Sequence, residues 1–530
     1  MMIDPKTLDF EGIEKELAAF EAEERKRLGI EEEESRHWHD PNPQRFTRND
    51  RETTTILIGG LTVAHDQIFT AAMKGLGYKL QALDVPDLEA LRLGKEFGNR
   101  GQCNPTYFTA GNLVKHLMHL RDVEGLKTEE IIKNYLFFTA GACGPCRFGT
   151  YATEYRKVLA DSGFDGFRVL LFQQQGGMKQ ATGDASGMEF NTSFFKAMIT
   201  ALMAGDVINL VGYRIRPYEV NKGDTDAALE ECKAIVCEAF QNRNSLITAL
   251  LRCRWRLNRI EVNRLRPKPK VSIIGEFWAM TTEGDGNYRL QRFLEAEGAE
   301  VDIQPVTAWI LYQLWELQYD TRRRLPMRGE DGGNFGLQGK NGTQRLAMFW
   351  TAAKAVRAIF GLFTRAIGLE DYHLADMDQI ATISHQYYDN HLRGGEGHME
   401  VAKLINTVTQ RKAHMVVSVK PFGCMPSSGV SDGVQSLITS RYPEAIFTAI
   451  ETTGDGEVNV QSRIQMDLFK ARKRAEAEYE TAVERTGLTP AAIESKARRK
   501  AKALHHPPHV VAGTAANQVL ELAGIRQWSA

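Results

Sequence analysis

Seven cysteines in 530 residues are too few for a disulfide framework. A reducing compartment keeps such residues as thiols unless a metal claims them, so their placement matters more than their number. Charge of one sign is also lacking: the formal net charge is −1, where a protein devoted to nucleic acid carries a marked basic excess. No run of about eighteen consecutive apolar residues is present, so no membrane span is expected. The N-terminus, MMIDPKTLDFEGIEKELAAF, has neither the basic flank nor the short apolar core of a secretory signal, and the expected location is the cytoplasm. No GxxxxGK[ST] loop occurs, so the chain offers no P-loop for a nucleotide.

What is present is ordinary globular material, 43% hydrophobic and 25% charged, in a chain long enough for two or three α/β units. Residues 1–50 read as an acidic helical extension containing the run Glu31–Glu34. A first α/β domain is expected over 51–177. TTTILIGGL is a β-branched run ending in Gly-Gly, followed by an amphipathic helix and the strand QALDVPD, and then by KNYLFFTA and FRVLLF. Residues 178–268 read as helices. After RPKPK a second α/β domain opens with VSIIGEFWA and runs over 269–465, with strands at VDIQPV, AHMVVSVKPFG and AIFTAIE and a helical insertion around 310–370. Residues 466–530 read as a charged helical extension. Strand and helix alternation predicts short parallel sheets covered by helices.

Cysteine recurs in glycine- and proline-containing loops: Cys103 in GNRGQCNPTYF, Cys143 and Cys146 in TAGACGPCRFGTY, and Cys424 in VKPFGCMPSSG. Ligands of open α/β sheets sit outside the carboxyl ends of strands, so loops from two sheets can converge on one site. Thiolates there suit an iron–sulfur cluster, and neighbouring glycine lets backbone N–H groups approach its sulfurs. Two other readings stand beside this one. CGPC between a strand and a helix is also the setting of a thioredoxin-like dithiol, and four cysteines could close a tetrahedral zinc site, although only one close pair is present. Cys232, Cys237 and Cys253 lie in helical stretches and read as small core residues.

Arg147, directly after the motif, is a candidate to offset cluster charge from outside the ligand set. The loop GEFWAMTTEGDGNY offers Glu276, Glu283 and Asp285 as candidate catalytic carboxylates, against the alternative of a solvated turn. In LRGGEGHME, Glu396, His398 and Glu400 read as helix capping and packing rather than chemistry. His505, His506 and His509 form only a superficial metal tract.

The stretches GNRGQCNPTYFTAGNLVKHL, TAGACGPCRFGTYATEYRKVL, RPKPKVSIIGEFWAMTTEGDGNYRLQRFLEAEGAEV and VVSVKPFGCMPSSGVSDGV together resemble the 2-hydroxyacyl-CoA dehydratase and class I benzoyl-CoA reductase superfamily. The likeness is greatest to the dehydratase-type portion of acyl-CoA dehydratase activase-related (BadF/BadG/BcrA/BcrD-like) proteins. It spans roughly residues 50 to 465. The resemblance implies tandem flavodoxin- or Rossmann-like domains holding a 4Fe-4S cluster, or in some relatives a double-cubane 8Fe-9S cluster. It further implies a separate ATP-hydrolysing iron–sulfur activase that pushes one electron uphill into this component, which acts as an oxidoreductase or lyase on an acyl-CoA or another refractory small molecule in anaerobic metabolism. A homo- or hetero-oligomer is expected. Dehydratase subunits of this kind use three cysteines and leave an iron open, whereas this chain offers four in the matching loops. Closed ligation would make the protein a non-catalytic electron relay or assembly subunit, and an open iron would favour direct substrate chemistry.

Overall fold

A computed structural model describes residues 19–20, 23–24, 27, 46–141, 146–173, 187–327, 341–392, 397–429, 433–500 and 502–527. Two units are distinguished, Met1–Asn42 and Pro43–Ala530. In the first, the described residues are helical, and Arg27 pairs with Glu24 at 2.7 Å.

The second unit is an α/β structure built on two four-stranded, all-parallel sheets. β1 (Thr55–Ile58), β2 (Leu80–Ala82), β3 (Tyr135–Gly141) and β4 (Arg168–Gln173) lie in the order β2-β1-β3-β4. β5 (Lys270–Gly275), β6 (Glu300–Ile303), β7 (Met415–Pro421) and β8 (Ile446–Thr452) lie in the order β6-β5-β7-β8. The strands form where the sequence is β-branched and unbroken by charge: β1 is TILI, buried throughout, and all seven residues of β7 are buried. Register follows the apolar pattern, with Ile56 opposite both Leu80 and Leu136, and Ile273 opposite Ile303 and Val417. In each sheet the chain reverses its direction of growth at the first strand, which puts a switch point between β1 and β3 and another between β5 and β7.

Helices cover both sheets. Around the first are α1 (Val63–Gly75), α2 (Leu88–Phe97), α3 (Asn104–Asp122) and α4 (Tyr151–Asp161). α2 and α3 cross on glycine: a Cβ on Gly94 would lie 1.9 Å from the Tyr107 carbonyl, and one on Gly111 would lie 1.8 Å from that of Ala90. No other residue type permits that separation.

The helical segment is α5 (Thr192–Ile215), α6 (Asp224–Gln241) and α7 (Leu246–Leu257). It is a covering layer of the first sheet: Ile56 and Ile58 of β1, Ile68 of α1, Val207 of α5, Val236 of α6 and Leu257 of α7 share one core. α8 (Val306–Arg324) and α9 (Gly342–Ile367) join that same core through Leu311, Tyr312, Phe360 and Phe363. In its described residues the expected insertion near 310–370 is thus mainly helical and packs against the first sheet's helices. The second sheet is covered on one face by α10 (Gly397–Thr409), through Val401 and Leu404. On the other lies α11 (Glu457–Thr486), through Val460, Ile464 and Leu468. α12 (Pro490–Lys500) and α13 (Thr514–Leu522) complete the chain.

By length and composition, α9 and the stretch Thr192–Tyr218 that contains α5 could cross a membrane. The latter is 61% buried within the protein, whereas only 17% of the apolar stretch of α9 is buried.

Candidate functional site

The carboxyl ends of the two sheets face one another, and the loops leaving them are stitched together. Asn104 donates its backbone N–H to Phe422 at 3.2 Å and its side-chain amide to the Thr452 carbonyl at 2.6 Å. Asp285 donates its backbone N–H to the Pro86 carbonyl at 3.2 Å. Residues 86, 104, 285, 422 and 452 all belong to or adjoin loops that follow strands or helices at this end of the sheets. The carboxyl ends of the strands are where an open α/β sheet takes its ligand.

Cys103 is the N-cap residue of α3, whose first turn contains Pro105. It follows a helix rather than a strand. Its buried thiol lies 3.0 Å from the Tyr151 hydroxyl and 3.3 Å from that of Thr106. Tyr151, the first residue of α4, stays protonated because burial and the neighbouring Cys103 hold its pKa well above the usual phenol range. Its hydroxyl therefore retains a proton within hydrogen-bond reach of the Cys103 sulfur.

Cys424 follows β7 and starts the short helix Met425–Gly429. Cys146 follows β3 and caps the turn Arg147–Thr150, accepting the Phe148 N–H at 3.5 Å. Cys143 lies outside the described residues, as does Glu396.

These loops meet at Gly423. A Cβ placed there would lie 3.2 Å from the Arg147 guanidinium, 3.3 Å from the Cys103 Cα and 3.3 Å from the Gln102 carbonyl oxygen. Arg147 itself donates to the Gly101 carbonyl, so it ties the Cys146 loop to the Cys103 loop and rests against the Cys424 loop. The three cysteine-bearing loops are in van der Waals contact at one point, with a cation between them.

Among the described residues no three Cys, His, Asp or Glu side chains are grouped closely enough to hold a metal ion. The donor chemistry nonetheless suits an iron–sulfur cluster. The loops that meet carry Cys103, Cys146 and Cys424, soft donors of the kind such a cluster takes, and the fourth thiol belongs to the segment joining β3 to Cys146.

The three carboxylates of the GEFWAMTTEGDGNY loop separate in role. Glu283 accepts the Val63 N–H at 2.7 Å and so caps α1, while Asp285 accepts the Leu88 N–H at 3.0 Å and Arg289 Nε at 2.9 Å and so caps α2. Both clasp the second sheet's loop to helices of the first. The loop is no solvated turn, since Trp278, Thr282 and Asn287 are buried. Glu276, directly after β5, accepts the Ala279 N–H at 2.8 Å. Burial raises its pKa, and its charge bears on Tyr151 and on Glu400.

Two buried side chains outside the cysteine stretches, Glu400 and Gln435, are joined by hydrogen bonds to the Cys424 loop and to β7. Glu400, in the first turn of α10, is buried and accepts from Ser427 Oγ at 3.1 Å and Gln435 Nε2 at 3.4 Å. Burial pushes its carboxyl up to about 8, with Ser427 and Lys420 opposing the rise and Glu276 adding to it. Gln435 also reaches Ser418 of β7 at 3.1 Å. Asp66, in the first turn of α1, is pushed up to about 7 by burial. Capping and packing describe Glu400 only in part. Its neighbour His398 is packing material, buried against Tyr312 and Trp315 at ring distances of 4.7 and 5.1 Å and depressed to about 4 by burial. Lys420 and Ser427 flank Cys424 in sequence, and Tyr151 follows Cys146 by five positions, so proximity to the cysteine loops was the one signal that could have found them.

Deeper between the halves, Asp206 of α5 accepts the Val306 and Thr307 N–H groups at 2.7 Å each and the Thr307 hydroxyl at 2.5 Å. It also meets His65 Nε2 at 3.2 Å, and His65 Nδ1 lies 2.7 Å from Thr62 Oγ1. This chain of bonds pins α8 to α1 and α5. Cys232 and Cys253 are buried side by side in the helical layer, while Cys237 approaches the Gln67 carbonyl at 3.7 Å. His505 pairs with Glu521 and His509 with the Gln410 carbonyl.

The fold and site define an α/β protein with two parallel sheets whose strand-end loops meet one another, bringing cysteine-bearing loops together near buried carboxylates whose pKa values burial raises. No protein-family model matches the chain, and no curated protein matches it.

Proposed function

We propose that this chain is the iron–sulfur component of an ATP-dependent, low-potential reductase or dehydratase system. It accepts electrons from a separate ATP-hydrolysing activase and acts on an acyl-CoA or another small reducible substrate. The observation that carries the reading is the meeting of the Cys103, Cys146 and Cys424 loops, from both sheets, at Gly423. Cys103, Cys424 and the Cys143/Cys146 pair would hold a 4Fe-4S cluster, which when bound supplies single electrons at low potential.

The chain's own residues supply the rest. The Tyr151 hydroxyl lies 3.0 Å from the Cys103 sulfur, where it could donate to a ligating thiolate, and Arg147 places positive charge among the cysteine loops. Glu400 keeps its proton near neutral pH because burial pushes it up to about 8. It can give a proton to a substrate that has gained negative charge, and burial raises the pKa of Glu276 as well. A buried proton donor of this kind favours substrate chemistry over a pure relay.

The test is anaerobic purification with iron, acid-labile sulfide and reduced-state electron paramagnetic resonance measured on the parent protein, Cys103→Ala and Cys424→Ala. About four irons and four sulfides per chain, lost in both variants, support one shared cluster, and about eight irons the double-cubane form. An iron-free parent with unchanged thiol exchange in both variants refutes the proposal.

A further inference from the structure

Helix α9 presents to solvent a face that a folded protein ordinarily buries. Met348, Thr351, Ala355, Ala358, Leu362 and Arg365 recur at spacings of three and four and are all exposed, so they form one stripe along the helix. Trp350 and Lys354 flank it, with the Lys354 ammonium 5.6 Å from the Trp350 ring centre. The neighbouring α7 shares its buried side with α9, and Arg254 of α7 donates to the Arg365 carbonyl at 3.1 Å. On its own outer face α7 exposes Leu251 and Trp255, one turn apart, with the Arg259 guanidinium 3.3 Å over the Trp255 ring. The five large apolar side chains on these two helices are each about half exposed or more. Contiguous apolar exposure of this kind marks an interaction surface.

Charge identifies what it meets. Neither α7 nor α9 contains a single Asp or Glu, while Arg252, Arg259, Lys354 and Arg365 are exposed on or beside them. The complementary surface is therefore anionic. A second copy of this chain does not supply that: antiparallel pairing about Ala355 would set Lys354 near its own counterpart and Arg345 against Arg365. The stripe itself carries one hydroxyl, that of Thr351, and one charged group, that of Arg365. Protein interfaces instead make about one hydrogen bond per 100–200 Å². An apolar, tryptophan-bearing face edged with basic residues and poor in hydrogen-bonding groups is the composition of a helix that lies in the interfacial plane of a bilayer. The stems of Lys354 and Arg365 can lie along acyl chains while their charges reach headgroups.

We propose that α9, with the outer face of α7, is a docking surface for anionic lipid bilayers, which would hold the protein peripherally at a membrane.

The test is co-sedimentation of the full chain with vesicles of phosphatidylcholine alone and of phosphatidylcholine carrying phosphatidylglycerol, at low and raised salt. Binding is expected to the anionic vesicles only and to weaken with salt. Lys354→Glu should lower it about thirtyfold, because each basic residue at an anionic surface contributes about fivefold and reversal counts twice. Trp350→Ala should also weaken binding, Lys354→Arg should preserve it, and unchanged circular dichroism would show that the variants remain folded. No binding to either vesicle, or equal binding to both, overturns the proposal. So does a concentration-dependent dimer that Lys354→Glu dissolves, which would assign the face to a second copy.

Discussion

Replacing Gly423 with alanine tests whether the cysteine loops meet as described. Gly423 sits at φ +78, and so does Gly101 two residues before Cys103, which makes Gly101→Ala a matched control. Both substitutions force an L-residue into left-handed backbone, at a cost of about 1–2 kcal/mol each. The surroundings differ. A Cβ on Gly101 meets nothing within 4 Å, whereas one on Gly423 meets Arg147, Cys103 and Gln102 at 3.2–3.3 Å. Two of those atoms are backbone, so relief requires the Cys103 and Cys424 loops to move apart. Overpacking of this kind adds about 1–3 kcal/mol. Urea denaturation followed by tryptophan fluorescence should therefore show Gly423→Ala as the less stable variant by that margin. Iron bound per chain after anaerobic reconstitution should fall in Gly423→Ala and hold in Gly101→Ala. Equal loss of stability and of iron in the two would mean that Gly423 matters only for its own backbone, and the convergence argument would fail.

Asp206→Ala strands two N–H groups, a hydroxyl and His65 in a buried setting, and should cost about 3–5 kcal/mol by chemical denaturation, with Asp206→Asn costing less. Glu400 has a folded pKa of about 8, above its unfolded value. The native state therefore binds more protons over the interval between the two, so the stability Glu400 contributes is full below about pH 4.3 and is lost as pH rises toward 8. Glu400→Gln should flatten that decline in a pH series of melting temperatures. His398 carries the opposite sign, since burial depresses it to about 4. Stability is lost as pH falls from about 6.5 to 4, and His398→Phe should remove that limb.

Much of the scaffold was legible in the sequence. TILI, VSIIG and MVVSV are apolar runs too continuous for a one-sided sheet and too short for buried helices, and strand–helix alternation then dictates parallel pairing. The rule that loops at strand ends converge pointed to Cys146 and Cys424, whereas Cys103 caps a helix that follows another helix and was singled out only by its glycine- and proline-containing loop. What stayed hidden depends on contacts far apart in the chain. Glu283 and Asp285 looked like acids in a glycine-punctuated loop, yet their partners, the N–H groups of Val63 and Leu88, lie 220 and 197 residues away. Glu400 looked like a capping residue at the head of α10 because nothing local announces burial against Ser427 and Gln435. Arg147 was expected to offset charge from outside the ligand set, but its service as a strap to the Gly101 carbonyl depends on backbone geometry that composition does not encode.

The division of thiols between two sheets sets a timetable for making the protein. Asn104 and the Thr452 carbonyl it grips are 348 residues apart, and a ribosome adds roughly 5–20 residues per second. The first sheet and its cysteines therefore emerge on the order of tens of seconds before the strand that completes the crevice. During that interval Cys103 and Cys146 are open to oxygen, stray copper or zinc, and one another. Under the function proposed above, iron loading would have to wait until the last strand of the second sheet has docked. Under that same proposal, recovery of activity after exposure to air would depend on fresh synthesis as much as on repair.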